Sequence, residues 1–149
     1  MLDKFDRLAD RLETLPLAVR RASVGIIEHF GLLLLDLNRD YLQKQGERVD
    51  GSPIQNKGYS DAYAKFKKKY GKYTNTAFVD YKFSGAFLAS FKLNYTSGLT
   101  FEIEATDEKA AFLNVGGQLL GLREADAIQF VKEVLEPEVR AFVTEHMRI

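Results

Sequence analysis

Cysteine is absent from the 149 residues, and with it go a disulfide scaffold, a zinc finger, a thiol nucleophile and a cysteine-held iron–sulfur cluster. A chain without it suits a reducing cytosol. Proline is scarce, with only Pro16, Pro53 and Pro137, and there is neither a repeat nor a low-complexity tract. Long apolar runs are missing too: Gly31 to Leu35 falls far short of the about 20 residues that span a bilayer. The first residues mix Asp3, Lys4, Asp6 and Arg7 and lead into no apolar segment, so no secretory signal is expected. The protein is expected to be soluble and intracellular, with no membrane partner.

What is present is ordinary globular composition, 46% hydrophobic and 28% charged. The length fits a single domain, which buries roughly 68 to 70% of its unfolded surface. A net charge of zero hides an uneven distribution. Residues 1–50 carry 8 basic and 9 acidic groups, residues 51–100 carry 8 and 2, and residues 101–149 carry 5 and 10. A uniformly basic nucleic-acid binder is not laid out this way. Opposed patches of this kind either neutralise each other within one fold or steer a protein contact.

Leu2, Phe5, Leu8, Leu12 and Leu15 recur at three and four residues, which predicts a short amphipathic helix broken or kinked at Pro16. From Leu17 to Gln45 the pattern stays helical, and Gly46 is the expected stop. Such a helix is roughly 43 Å long, about as long as a domain of this size is wide. Its apolar residues, from Val19 through Ile26, Phe30, Leu33 and Leu37 to Leu42, spread over roughly 200°, about twice what one core contact needs. The surplus predicts two contacts. One is with its own domain; the other is with a neighbouring subunit or with the first helix folded back on it.

Glu47 to Gly58 reads as a loop from its Gly51, Ser52, Pro53, Asn56 and Gly58. Tyr59 to Tyr70 predicts a helix with Ser60 as N-cap and Gly71 as stop, Lys72 to Asp80 is irregular, and Ser84 to Ala89 makes one or two helical turns. A hairpin follows. A Thr96-Ser97-Gly98 loop with Gly98 left-handed pairs Tyr95 with Leu99, Leu93 with Phe101, Phe91 with Ile103, and Lys92 with Glu102 on the wet face. Ala110 to Val115 is a third strand or a short helix, and Gly116, Gly117 and Gly121 mark a turn. From Leu122 an amphipathic helix runs to the end, bent or restarted at Pro137.

The expected class is α+β: a long N-terminal helix and a C-terminal amphipathic helix packed on a small antiparallel sheet with a β-hairpin near 91–105. Its parts are a helical stretch (1–46), a middle of loop, short helices and hairpin (47–121), and the terminal helix (122–149).

Signatures of catalysis are missing. His29 and His146 lie near opposite ends without a repeated carboxylate spacing, and His29 falls on the polar arc of the long helix. Glu102 and Glu104 imitate a carboxylate pair, but alternation on an amphipathic strand produces that by default. No phosphate-binding loop, nucleophile elbow or dinucleotide fingerprint occurs, and Gly116-Gly117 alone carries almost no information. Neither an enzyme nor a metal or cofactor site is expected.

The most pointed segment runs from Lys65 to Tyr73, where Lys65, Lys67, Lys68, Lys69 and Lys72 alternate with aromatics. Lysines there could neutralise phosphates while rings stack on bases, or they could meet an acidic protein. Because Tyr59, Tyr63, Phe66 and Tyr70 keep helical spacing, the plainer reading is a packed aromatic side and a solvated lysine side.

From Leu37 onward four short segments occur in a telling order: Gly51-Ser52-Pro53-Ile54, a lysine-rich helix opening on Tyr59-Ser60, Ser84-Gly85-Ala86-Phe87-Leu88-Ala89-Ser90-Phe91, and Leu120-Gly121-Leu122. Over roughly two thirds of the chain this order resembles the phage virion-morphogenesis or tail-completion family, small proteins of the head–tail joining region. The resemblance implies a non-enzymatic subunit of the virion, assembled in the bacterial host cytoplasm as a homo-oligomeric ring. Its neighbours would be tail, terminator or connector proteins, with DNA passing through the channel. On that reading Ile26, Phe30, Leu33, Leu37, Gly51, Pro53, Ile54 and Tyr59 are the candidate interface residues. The five lysines then face a neighbour's acidic C-terminal third or the DNA channel. A small DNA-binding module built on Lys65 to Tyr73 is the alternative.

Overall fold

The computed structural model describes residues 2–55, 58–97, 100–114 and 118–148. Along the chain come helix α1 (Leu2–His29), α2 (Gly31–Asp40) running into a wider π-helical turn at Tyr41–Gln45, and α3 (Asp61–Tyr70). Then follow α4 (Ala86–Ala89), strands β1 (Phe91–Ser97) and β2 (Thr100–Ala105), α5 (Ala110–Leu113), α6 (Glu124–Phe130), a π-helical segment at Val131–Leu135, and α7 (Glu136–His146). The class is α+β, with long helices at both ends and one antiparallel pair of strands between them. The chain divides into two compact units, one of Met1–Gly31, Ser97–Thr100 and Glu124–Ile149, the other of Leu32–Thr96 and Phe101–Arg123.

In the first unit α1 is one helix through Pro16, so of the expected break or kink the break does not occur. Proline removes the donor to the carbonyl four residues earlier, that of Leu12. Leu12 and Pro16 are both exposed, so that carbonyl sits on the wet side, where its loss is cheap. The helix interrupts at Phe30 instead, just past its last residue, His29. Residues 2–29 being one helix, the early segment cannot fold back to cover the later one. The cover comes from α7, which runs antiparallel to α1: Arg11 Nη1 donates to the carbonyl of His146 at 3.1 Å, and Phe30 meets Phe130 edge to face at 6.4 Å. Ile27 and Phe130 are buried there. Pro137 opens α7 at its N-terminal turn, as expected, and the π-helical segment lies immediately before it.

The second unit closes around Leu35, Tyr41, Leu42, Ile54, Val79, Phe87, Leu88, Phe91, Ile103 and Leu119. Gly46 ends the helical run in the left-handed conformation (φ 65°), as its place in the sequence predicts. The buried polar side chain of Asn38 ties distant segments together: Nδ2 donates to Tyr41 Oη at 2.6 Å and to the Leu119 carbonyl at 2.9 Å, and Oδ1 accepts from Gly121 N at 3.3 Å. Tyr41 Oη in turn donates to the Gly121 carbonyl. Arg39 is half-buried; its Nε donates to the Leu88 carbonyl at 2.8 Å and joins α2 to α4.

Glu47 and Pro53 form an isolated antiparallel bridge across the loop, and the carboxylate of Asp50 accepts from Ser52 Oγ and Ser52 N, which holds it below the usual carboxylate range. Arg123 pairs with Glu47 at 2.7 Å and lies over the Tyr41 ring. Ala110 to Leu113 resolves as a helix, not a strand.

The hairpin forms, with the expected residues facing the core: Phe91 and Ile103 are buried and Leu93, Phe101 and Ala105 half-buried. Its register differs from the expected one. At the open end Thr106 N donates to the Ser90 carbonyl at 3.1 Å, and Lys92 meets Glu104, not Glu102, at 3.7 Å. Lys92 thus stands opposite Glu104, a shift of two residues. A two-residue slip leaves every side chain on its original face, so patterning alone does not select between the two registers. Ser97 belongs to β1 and not to the turn. Gly98, Leu99, Val115, Gly116 and Gly117 lie outside the described residues, and with them the predicted turn conformations.

Candidate functional site

Helix α3 is built locally as its sequence predicts: Ser60 Oγ accepts from Tyr63 N at 3.3 Å, and Gly71 N donates to the Lys67 carbonyl at 2.8 Å. Its lysines are solvated as expected at four of five positions, but its aromatic side is not packed inward. The aromatic residues point outward, Phe66 at 50% and Tyr70 at 59% exposure, with Tyr63 also exposed. They lean on one another in a row: Tyr59 and Tyr63 at 5.0 Å, Tyr63 and Phe66 at 6.3 Å, Phe66 and Tyr70 at 5.1 Å. Phe83 stacks on Phe66 nearly parallel, at 5.6 Å and 10°. Sequence periodicity placed a row here but gave no sign which side faced the core, and Phe83, from a separate segment, was not anticipated.

The inward residue is Lys67. Its side chain is 0% exposed, and Nζ lies 2.5 Å from Asp80 Oδ1 and 4.6 Å from the centroid of the Tyr59 ring. Tyr59 Oη donates to the same carboxylate oxygen at 2.8 Å and accepts from Lys67 Nζ at 3.3 Å and Asp80 N at 3.2 Å. Asp80 also accepts from Lys82 N and from Asn75 Nδ2. The carboxylate is fully engaged by charged and neutral donors, which is the condition for burying an ion pair. Burial, reinforced by the neighbouring carboxylate, pushes the Tyr59 hydroxyl well above its ordinary value. Lys67 therefore leaves the set of lysines available to a partner. A signal for its partner existed: Asp61 and Asp80 are the sole acidic residues among residues 51–100, surrounded by eight bases.

Lys65, Lys68, Lys69 and Lys72 are exposed. Among the described residues none of the four is in an ion pair; Lys69 and Lys72 lie over the rings of Tyr70 and Tyr73 at 5.0 and 5.6 Å. Beside the aromatic row a cavity of about 560 Å³ opens, walled by Tyr59, Tyr63, Tyr81, Phe83 and Phe87 with Lys109 at its edge. Tyr81 adopts a left-handed backbone (φ 51°), and burial raises its hydroxyl above the ordinary value. The surface thus offers apolar rings framed by free cations, a combination suited to a partner with apolar and negative groups.

The other candidate residues are dispersed. Ile26 and Phe30 are half-buried in the first unit. On α2, which the interruption at Phe30 separates from α1, Leu33 is 42% exposed and its neighbour Leu32 74%, while Leu37 is half-buried and Leu34 and Leu35 are buried. Gly51 and Pro53 are exposed on their loop, but Ile54 is a core residue, so it cannot serve as a contact surface. Tyr59 is half-buried over Lys67. The four segments that carry the sequence resemblance all belong to the second unit, where Ile54, Tyr59, Phe87, Leu88, Phe91, Leu120 and Leu122 share one core.

Among the described residues, no three His, Asp or Glu side chains are grouped to hold a metal ion, and no helix is long and apolar enough to cross a membrane. No family model, curated protein or solved structure matches the chain.

Proposed function

We propose that this chain is a non-enzymatic structural subunit of a tailed bacteriophage, one that forms or completes an oligomeric ring at the head–tail junction. The order of the four short segments supports the phage reading. The observation that carries the assembly reading is the apolar surface left open on α2, with Leu32 and Leu33 exposed beside buried Leu34 and Leu35. Two large aliphatic side chains at consecutive exposed positions, together with the outward row of rings on α3, are what a subunit keeps for its neighbours. A ring requires two different complementary patches on each copy. Native mass spectrometry of the purified protein, alone and with candidate tail and connector proteins, tests it. The expected result is a discrete oligomer or a defined co-complex; a protein that stays monomeric in every mixture refutes the assignment.

A second reading is favoured by one observation, the four exposed lysines without an ion-pair partner among the described residues, beside the exposed Phe66 and Tyr70. It makes the chain a small DNA-binding module. Its mark is retention of DNA by a monomer, falling steeply as salt rises.

A further inference from the structure

Two sets of charges on this chain match each other in number and oppose each other in sign. On and just beyond α3, Lys65, Lys68, Lys69 and Lys72 have no ion-pair partner among the described residues. On α6 to α7 the same holds for Glu124, Asp126, Glu133 and Glu138 against a single unpaired cation, Lys132, whereas Glu136 and Glu145 are answered by Arg140 and Arg148, so the unpaired charge of the segment is net acidic. Each set also has exposed apolar side chains: Phe66 and Tyr70 among the lysines, Ile128 and Val131 among the carboxylates.

We infer that the aromatic–lysine face of α3 receives the acidic α6–α7 surface of a second copy of this chain. The inference deepens the assembly reading and rests on it. The basic face and the acidic face are different surfaces, so the contact is heterologous: each copy gives one and takes one, which is the arrangement that propagates into a ring. Aromatic side chains supply the desolvated centre of such a contact and the charges its rim and its register. Nucleic acid fits the face less well. The rings of Tyr63, Phe66, Tyr70 and Phe83 already lean on one another, so no slot for a base remains between them, and stacking is confined to their outer side.

The test compares the full-length protein with three variants by light scattering after size exclusion, at low and high salt, with circular dichroism to establish folding. Lys68→Glu with Lys69→Glu, and Glu124→Lys with Glu133→Lys, are each expected to weaken self-association by about tenfold or more. All four changes in one chain are expected to restore it, because both faces are then inverted together. Mixing the two double variants is expected to restore growth as an alternating assembly, since one junction joins the two native faces and the next joins the two inverted ones. Association unchanged by either reversal overturns the interface while leaving the assembly reading intact. A wild-type chain that never self-associates overturns the interface as well, and the co-complex measurement with tail proteins then decides the assembly reading separately. Retention of random-sequence duplex DNA that is lost in the Lys68, Lys69 variant, with self-association unaltered, assigns the face to nucleic acid and overturns the inference.

Discussion

Lys67 and Asp80 meet at 2.5 Å with both side chains shut off from solvent, although thirteen residues of largely irregular chain separate them. A charge removed from one side of such a pair leaves the other stranded in a dry interior. Lys67→Met or Asp80→Asn alone is therefore expected to cost about 3 to 5 kcal/mol of unfolding free energy. The two together should cost clearly less than the sum, because neither charge then remains. Urea denaturation of the four proteins measures this, and additive losses would show that the pair is not coupled.

The raised hydroxyl of Tyr59 fixes the sign of a pH effect. Its folded-state value lies above the ordinary 10.0, so the unfolded chain gives up this proton first as pH rises. The stabilisation is complete below pH 10 and declines above it. Tyr59→Phe should lower stability at neutral pH and flatten the alkaline decline. Tyr81, also raised, leaves a residual slope in that variant. Thermal melts from neutral to strongly alkaline pH provide the comparison; an equal slope in both proteins contradicts the assignment.

The hairpin register makes a separate claim. With Lys92 opposite Glu104, a double-mutant cycle on that pair should give a coupling of about 0.2 to 1 kcal/mol, and the cycle of Lys92 with Glu102 close to none. The reverse outcome would restore the register expected from patterning.

Gly46 has φ 65°, and a Cβ at that position would collide with the ring of Phe78. Gly46→Ala combines left-handed strain with overpacking, for an expected loss of about 2 to 4 kcal/mol, read by denaturation. An unchanged midpoint would mean that the stop is made elsewhere.

Features set by near neighbours in the chain were legible in the sequence. Ser60 caps, Gly46 and Gly71 stop, and Pro137 restarts a helix because each acts on backbone groups within a turn of itself. The faces of the hairpin were legible for the same reason, since alternation is local, but its register depends on a slip that alternation does not register. Pro16 does not break α1 because the rule for proline concerns a lost donor, and that loss matters little where the freed carbonyl is on the exposed side. Asn38 was out of reach, since it pairs across eighty-one residues with nothing beside it to signal an inward polar group; for Lys67 the scarcity of acids between residues 51 and 100 pointed to the partner but not to which lysine turns inward. The outward aromatic row was not legible either, because spacing places a row along one side of a helix without saying which side meets the core.

The pairing of α1 with α7 bears on how the polypeptide emerges from the ribosome. Every core side chain of the second unit, from Leu35 to Leu122, has been synthesised before α6 and α7 exist, so that body can close during translation. Helix α1, made before the second unit, must wait for α7, made after it. For most of its synthesis the nascent chain holds the apolar stripe of α1 uncovered, which makes that stripe the natural substrate for a chaperone or for premature association with another copy.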